Sequence, residues 1–254
     1  RERLFQQDPD LLRAARKIAD WLADPAFADA YVPPYKKPRA LIVGGFVRDS
    51  VLGLHPKDLD LEVYGLEPET LRFILECLFG AERINAVGAS FGILKVALGD
   101  GRDLDVSIPR RESKSGKGHR GFTVSGDPSM PVTEAARRRD FTMNALAADP
   151  LTGEIIDPFG GIGDLRTGQL RVTDPERFQD DPLRVYRAVQ FVARMGLEIE
   201  PRSQALMREM VERGDLEELA EERIAEEWKK LLLKAPRPSL GLEALRDLGI
   251  IERS

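Results

Sequence analysis

Ala40-Leu41-Ile42-Val43-Gly44-Gly45-Phe46-Val47-Arg48-Asp49, followed after Leu52-Gly53 by Asp58-Leu59-Asp60-Leu61-Glu62-Val63-Tyr64, is the stretch on which the fold turns. Ala40 to Val43 is a short apolar run ending in two glycines, the mark of a buried strand that closes on a tight turn. Phe46 to Leu52 predicts a helix stopped by Gly53. Asp58 to Tyr64 alternates polar and apolar side chains with the period of two that a strand imposes. Strand, glycine turn, helix and strand together indicate an α/β domain.

Outward from this stretch, Leu11, Leu12, Ala15, Ile18, Ala19 and Leu22 recur at helical spacing and predict a helix over 4–31, ended by the prolines of 32–38. Pro68 to Phe79 predicts an amphipathic helix stopped at Gly80. The strands predicted over 91–98 and 102–108 flank Gly99-Asp100-Gly101, a hairpin signal. Arg110 to Gly126 is rich in Arg, Lys, Ser and Gly without periodicity and reads as a mobile loop, and Val132 to Leu146 as a helix around Arg137-Arg138-Arg139. Strand signals largely stop after Asp157-Pro158-Phe159-Gly160-Gly161, and from Pro182 onward nearly everything reads as helix. The expected organisation is an α/β head with a mixed sheet over 1–158 and an all-α neck over 159–254.

Composition narrows the function. The 254 residues are 42% hydrophobic and 32% charged, as in a globular protein with a true core. No apolar run approaches the ~20 residues that span a bilayer. The single cysteine, Cys77, has no partner for an intramolecular disulfide, and two histidines, His55 and His119, are too few for a histidine-rich metal centre. A net charge of −5 excludes a globally basic nucleic-acid binder, so contact with a polyanion falls to local patches such as Arg110 to Arg120. The chain opens on Arg1-Glu2-Arg3 without an initiator Met, which reads as a trimmed chain.

Asp58 and Asp60, two apart on a strand, point to one face. Like charges held so close repel unless a cation sits between them, and hard oxygen ligands favour Mg²⁺. Taken alone, the pair reads equally well as two solvated carboxylates. Gly44 and Gly45, at a strand-to-helix turn, let phosphate oxygens reach backbone amides, and Arg48 lies one turn further on. Asp103 and Asp105 share a face of a later strand, and either supplies a third carboxylate, with Asp105 preferred. Three carboxylates beside a phosphate cradle describe a two-metal phosphoryl or nucleotidyl transfer site.

Gly44-Gly45-Phe46-Val47-Arg48-Asp49 and Asp58-Leu59-Asp60 resemble the first motif of the class II tRNA nucleotidyltransferase (CCA-adding enzyme) and bacterial poly(A) polymerase family. The resemblance continues, in order, at Arg138-Arg139-Asp140-Phe141-Thr142-Met143-Asn144-Ala145, at Asp157-Pro158-Phe159-Gly160-Gly161 and at Asp180-Asp181-Pro182-Leu183-Arg184-Val185-Tyr186-Arg187-Ala188. It implies a polymerase-β-like head and a cytoplasmic enzyme. That enzyme adds A, and with it C, to the tRNA 3′ end from ATP and CTP by in-line attack with pyrophosphate leaving. A poly(A) polymerase, an A-only enzyme and a catalytically silent binding module are the alternatives.

The resemblance also assigns residues. Asp58, Asp60 and Asp105 are the catalytic metal ligands, while Gly44, Gly45 and Arg48 contact the triphosphate. Arg139 meets phosphate and Asp140 accepts from the ribose 2′-hydroxyl. Asp181 and Arg184 read the base, accepting A and C and rejecting G and U, with Arg187 on the same helix face if 181–187 is helical. Two positions depart from the family: Asp180 stands where Glu is usual, and Gln190 where many relatives carry Arg. The basic segment 110–121 corresponds to the loop that the family links to A addition, and relatives continue into further helical domains that grip tRNA. No protein partner is indicated.

Overall fold

The computed structural model describes residues 8–30, 37–86, 93–99, 101–114 and 122–251. Two compact units divide the chain: Arg1–Ala136 with Asn144–Pro158, and Arg137–Met143 with Phe159–Ser254.

The first unit is built on a seven-stranded mixed sheet. Its strands are β1 (Arg39–Val43), β2 (Leu59–Tyr64), β3 (Ile84–Ala86), β4 (Ile93–Gly99), β5 (Arg102–Ser107), β8 (Ala147–Ala148) and β9 (Ile155–Ile156), in the order β3-β4-β5-β2-β1-β8-β9. Only β2 and β5 run parallel within it; the other neighbours are antiparallel. Ala40, Ile42, Leu61, Val63, Leu94, Val96, Leu104 and Val106 share one face by register and are buried. Helix α1 (Pro9–Ala23) packs with β1 and β5, and buries Leu11, Leu12, Ala15, Ile18 and Leu22. The other face is divided. Leu41, Val43, Tyr64 and Ala147 form a second apolar cluster with Met130 and Ala135, whereas Asp60, Glu62, Asp105 and Ser107 make its neighbouring part polar.

Three expectations for this unit need correction. The helix expected over 4–31 breaks at Asp24, because Pro25 disfavours the helical backbone of the residue before it. Asp24 is extended (ψ 123°), and its carboxylate accepts from the Ala26 amide of α2 (Pro25–Ala30). The loop expected over 110–126 contains a ladder, with β6 (Arg110–Lys114) pairing antiparallel with β7 (Phe122–Gly126); 115–121 lie outside the described residues. Helix α4 forms over Pro68–Phe79 as expected, whereas α5 spans only Val132–Arg137 rather than running to Leu146.

The reason lies in the second unit, where residues 140–142 find backbone partners of their own. Thr142 donates its amide to Arg171, Asp140 accepts from the Thr173 amide, and Phe141 bridges Val172. Phe141 then packs edge-on against Phe178 and Phe191, with centroids 5.6 and 5.8 Å away. Helices α6 (Gly161–Thr167), α7 (Pro175–Phe178), α8 (Leu183–Met195), α9 (Pro201–Glu212), α10 (Glu221–Lys229) and α11 (Pro238–Asp247) make up most of this unit. It is not purely helical, since β10 (Gln169–Leu170) and β11 (Glu198–Ile199) pair in parallel. Among the described residues no helix is long and apolar enough to cross a membrane.

Candidate active site

In the first unit the site begins where β1 enters α3 (Gly45–Leu52). Gly44 takes φ 70°, a left-handed backbone that strains any side chain, and its amide donates to the Leu146 carbonyl. Because Gly44 has no side chain to cap α3, the first-turn amides face an uncapped helix end with its partial positive charge. Arg48 reaches back over that end: a Cβ placed on Gly45 would lie 3.5 Å from Arg48 Nη2. Arg48 is 7% exposed, and its guanidinium is held by Nη1 donating to Asn144 Oδ1 at 2.6 Å and Nε to Asp49 Oδ1 at 2.7 Å. Backbone amides and a locked guanidinium thus converge on one helix end, as an oxyanion such as phosphate requires.

The carboxylates occupy the polar part of the divided sheet face. Asp58 directly precedes β2, and Asp60 pairs in parallel register with Asp105. Asp105 pairs on its other side with Lys95 of β4, and Asp60 with Val43 at the end of β1. The row Lys95-Asp105-Asp60-Val43 therefore leads directly to the Gly44 turn. Register puts Asp105, rather than Asp103, level with Asp60.

The side chains themselves are not gathered. Among the described residues no three carboxylate, imidazole or thiolate groups converge as they would around a metal ion. Asp105 Oδ1 is shielded from solvent and makes no well-formed hydrogen bond; the Lys95 ammonium stands 3.1 Å away. The donor chemistry nevertheless fits a hard divalent cation: carboxylate oxygens on adjacent strands, one of them shielded from solvent and met by an ammonium rather than by a well-formed hydrogen bond.

In the second unit, Asp140 is 6% exposed. Its Oδ1 accepts from the Phe141 amide and its Oδ2 from Arg187, at 2.8 Å from Nε and 2.7 Å from Nη2. Burial works against the Arg187 charge, but Asp140, helped by Glu227 and Asp181, more than offsets it and raises its pKa. Arg184 donates to two backbone carbonyls, Arg177 at 2.6 Å and Arg138 at 2.9 Å. The helix expected to include Asp181 starts at Leu183, and Asp181 precedes it, its Oδ1 accepting from the Leu183 amide. Asp181 Oδ2 accepts from Arg223 of α10 at 2.9 Å. Arg139 is half-buried, and Gln190, 2% exposed, accepts from Arg194 through Oε1.

Lys95, Asn144 and Arg223 carry contacts that the sequence reading did not assign. Lys95 was detectable, because stepping outward from the Gly99–Gly101 turn pairs Ala97 with Asp103 and Lys95 with Asp105. Asn144 and Arg223 had no local signal, since their partners lie 96 and 42 positions away.

A glycine turn into a helix, set beside a row of acids on a mixed sheet, defines the class: a nucleotidyltransferase head. The chain belongs to the family described as the poly A polymerase head domain, whose model matches residues 40–171. A second model, described as the probable RNA and SrmB-binding site of polymerase A, matches 196–253. The chain is 39% identical over 213 residues to the multifunctional CCA protein of Xanthomonas campestris, covering 83% of this chain and 49% of that one. It is also 39% identical over 215 residues to the corresponding protein of Nitrosospira multiformis, covering 85% and 49%. It thus spans about half the length of the curated relatives it matches. Among solved structures, a CCA-adding enzyme in an apo form superposes with TM-score 0.75 at 28% identity, over 96% of this chain and 52% of that one. The Bacillus stearothermophilus CCA-adding enzyme in complex with CTP gives TM-score 0.72 at 27% identity, over 97% and 53%.

Proposed function

We propose that the chain is the nucleotide-transferring part of a cytoplasmic enzyme that extends the tRNA 3′ end by A and C, from ATP and CTP, without a template. The observation that carries the reading is the row Asp105-Asp60-Val43 running into the Gly44-Gly45 turn, with Arg48 locked over it. In this reading the α3 amides and Arg48 bind and orient the triphosphate. Asp58, Asp60 and Asp105 hold Mg²⁺, which when bound lowers the pKa of the attacking hydroxyl and neutralises charge at phosphorus. Arg139 meets phosphate, and Asp140, oriented by Arg187, accepts from the ribose. Asp181 and Arg184, fixed by Arg223 and two carbonyls, present one acceptor and one donor edge to the base. A template fixed by such bonds discriminates by leaving a wrong base with unpaired polar groups.

The test is lengthening of an acceptor-stem RNA lacking CCA, supplied with CTP, ATP or both. The expected result is C incorporation with CTP alone and a terminal A when both are present. Long A tails with ATP and no C incorporation would point to poly(A) polymerase instead, and no lengthening at all would overturn the reading. Asp60→Asn, at an exposed position, is expected to lose at least about a hundredfold in rate, since the site's charge stabilisation is worth several kcal/mol, while keeping its melting temperature.

A further inference from the structure

The acidic face already contains one cation, and it is covalently part of the protein. Lys95 stands in the same cross-strand row as Asp105 and Asp60, on the same side of the sheet. Its Nζ lies 3.1 Å from Asp105 Oδ1, the oxygen that makes no well-formed hydrogen bond. Asn85, the partner of Lys95 on β3, brings no charge to the other side. The ammonium thus pairs with one of the carboxylates that the proposed function assigns to Mg²⁺.

We infer that Lys95 is the resident counter-cation of this face, a positioning residue whose ammonium keeps Asp105 compensated until a divalent ion displaces it. The inference rests on the reading of Asp58, Asp60 and Asp105 as metal ligands. A divalent ion on the Asp105 carboxylate repels the ammonium beside it, so loading the site works against the Lys95 contact and favours its release. The lysine suits that release: its side chain is 34% exposed, and a flexible four-carbon stem can swing into solvent without disturbing the strand. An arginine fork would grip the carboxylate in two places and yield less readily. The consequence is that metal affinity is set partly by a residue that never ligates the metal.

The test is binding of Mn²⁺ alone, without nucleotide, followed by electron paramagnetic resonance on wild type, Lys95→Met, Asp105→Asn, the Lys95→Met/Asp105→Asn double variant and Asp60→Asn. Lys95→Met is expected to bind Mn²⁺ roughly two- to five-fold more tightly, the range that surrendering a half-exposed ion pair represents. The gain is expected to be smaller when Asp105→Asn has already broken the pair. The metal-free melting temperature of Lys95→Met should fall, and saturating Mn²⁺ should restore it. Equal or weaker Mn²⁺ binding by Lys95→Met would overturn the inference. So would the same gain in both backgrounds, which marks a general charge effect. If instead Asp60→Asn binds Mn²⁺ as wild type does, the metal-ligand reading of the acidic row fails, and this inference with it.

Discussion

At Gly161 an α-methyl group would lie 2.2 Å from the Thr142 carbonyl oxygen and 3.1 Å from Met143 Cα. Both neighbours are backbone, Thr142 in the segment that pairs with 171–173 and Met143 directly after it, so neither can shift without disturbing that pairing. Gly161→Ala is therefore expected to destabilise the second unit by about 2–3 kcal/mol, the cost of overpacking a rigid site. Urea denaturation followed by circular dichroism checks this, and a change within error of zero would refute the close approach. Gly163, with nothing within 4 Å, is the control at which Ala should be tolerated. The glycine pair 160–161 was visible as a motif, but which glycine meets the Thr142 carbonyl emerges only from the packing. Arg48 shows the same division: its place one turn into α3 is local, whereas its anchor, Asn144, is 96 residues away.

Among the elements, α1 shows how a few side chains fix a helix end. Asp8 caps it, with Oδ1 accepting from the Asp10 amide at 3.0 Å and the Leu11 amide at 3.1 Å, and Pro9 follows at the first helical position. Arg102 of β5 pairs with both Asp8 and Asp10, tying the helix start to the sheet. Asp8→Ala is expected to cost about 1–2 kcal/mol, most of it from the lost cap, measured as a lowered urea midpoint. Asp8→Asn keeps a capping oxygen and should lose less. The amphipathic period of α1 was legible because one buried face leaves a 3.6-residue signature. The β6/β7 ladder was not, because Arg110–Lys114 carries no apolar residue to pair with the short alternation Phe122-Thr123-Val124-Ser125, and pairing is a property of two segments rather than one. Helix α5 ended early for a related reason: residues 140–142 gain backbone partners near Val172 that no local propensity anticipates.

For the whole molecule, acid stability follows from carboxylates that bind amides and guanidinium groups. Burial alone would raise the pKa of Asp8, Asp127 and Glu200, but their hydrogen bonds win. Leu11, Asp10 and Arg102 hold Asp8 low, Ser129 and Arg111 hold Asp127 low, and Ser203, with the Arg171 charge, does so for Glu200. Each folded-state pKa lies below its ordinary value, 3.8 for Asp and 4.5 for Glu. Their stabilisation is thus complete above those values and is lost as pH falls through the lowered ones. Melting temperature should hold steady from about pH 7 to about pH 5 and drop steeply below about pH 4, and replacing Asp8 and Glu200 by Asn and Gln should flatten the drop. A drop of unchanged steepness in that double variant would count against the assignment. The sequence by itself determined the glycine turn, the strand that carries Asp58 and Asp60, the helical character of the second unit and the family, because each is written in short-range periodicity or in motifs of neighbouring residues. Only the tertiary structure decided that Asp105 lies level with Asp60, that Lys95 pairs with Asp105, and that 137–143 joins the second unit. Register and long-range pairing depend on which distant segments meet, and the free energy that selects those meetings is shared across the fold rather than held in any one stretch of chain.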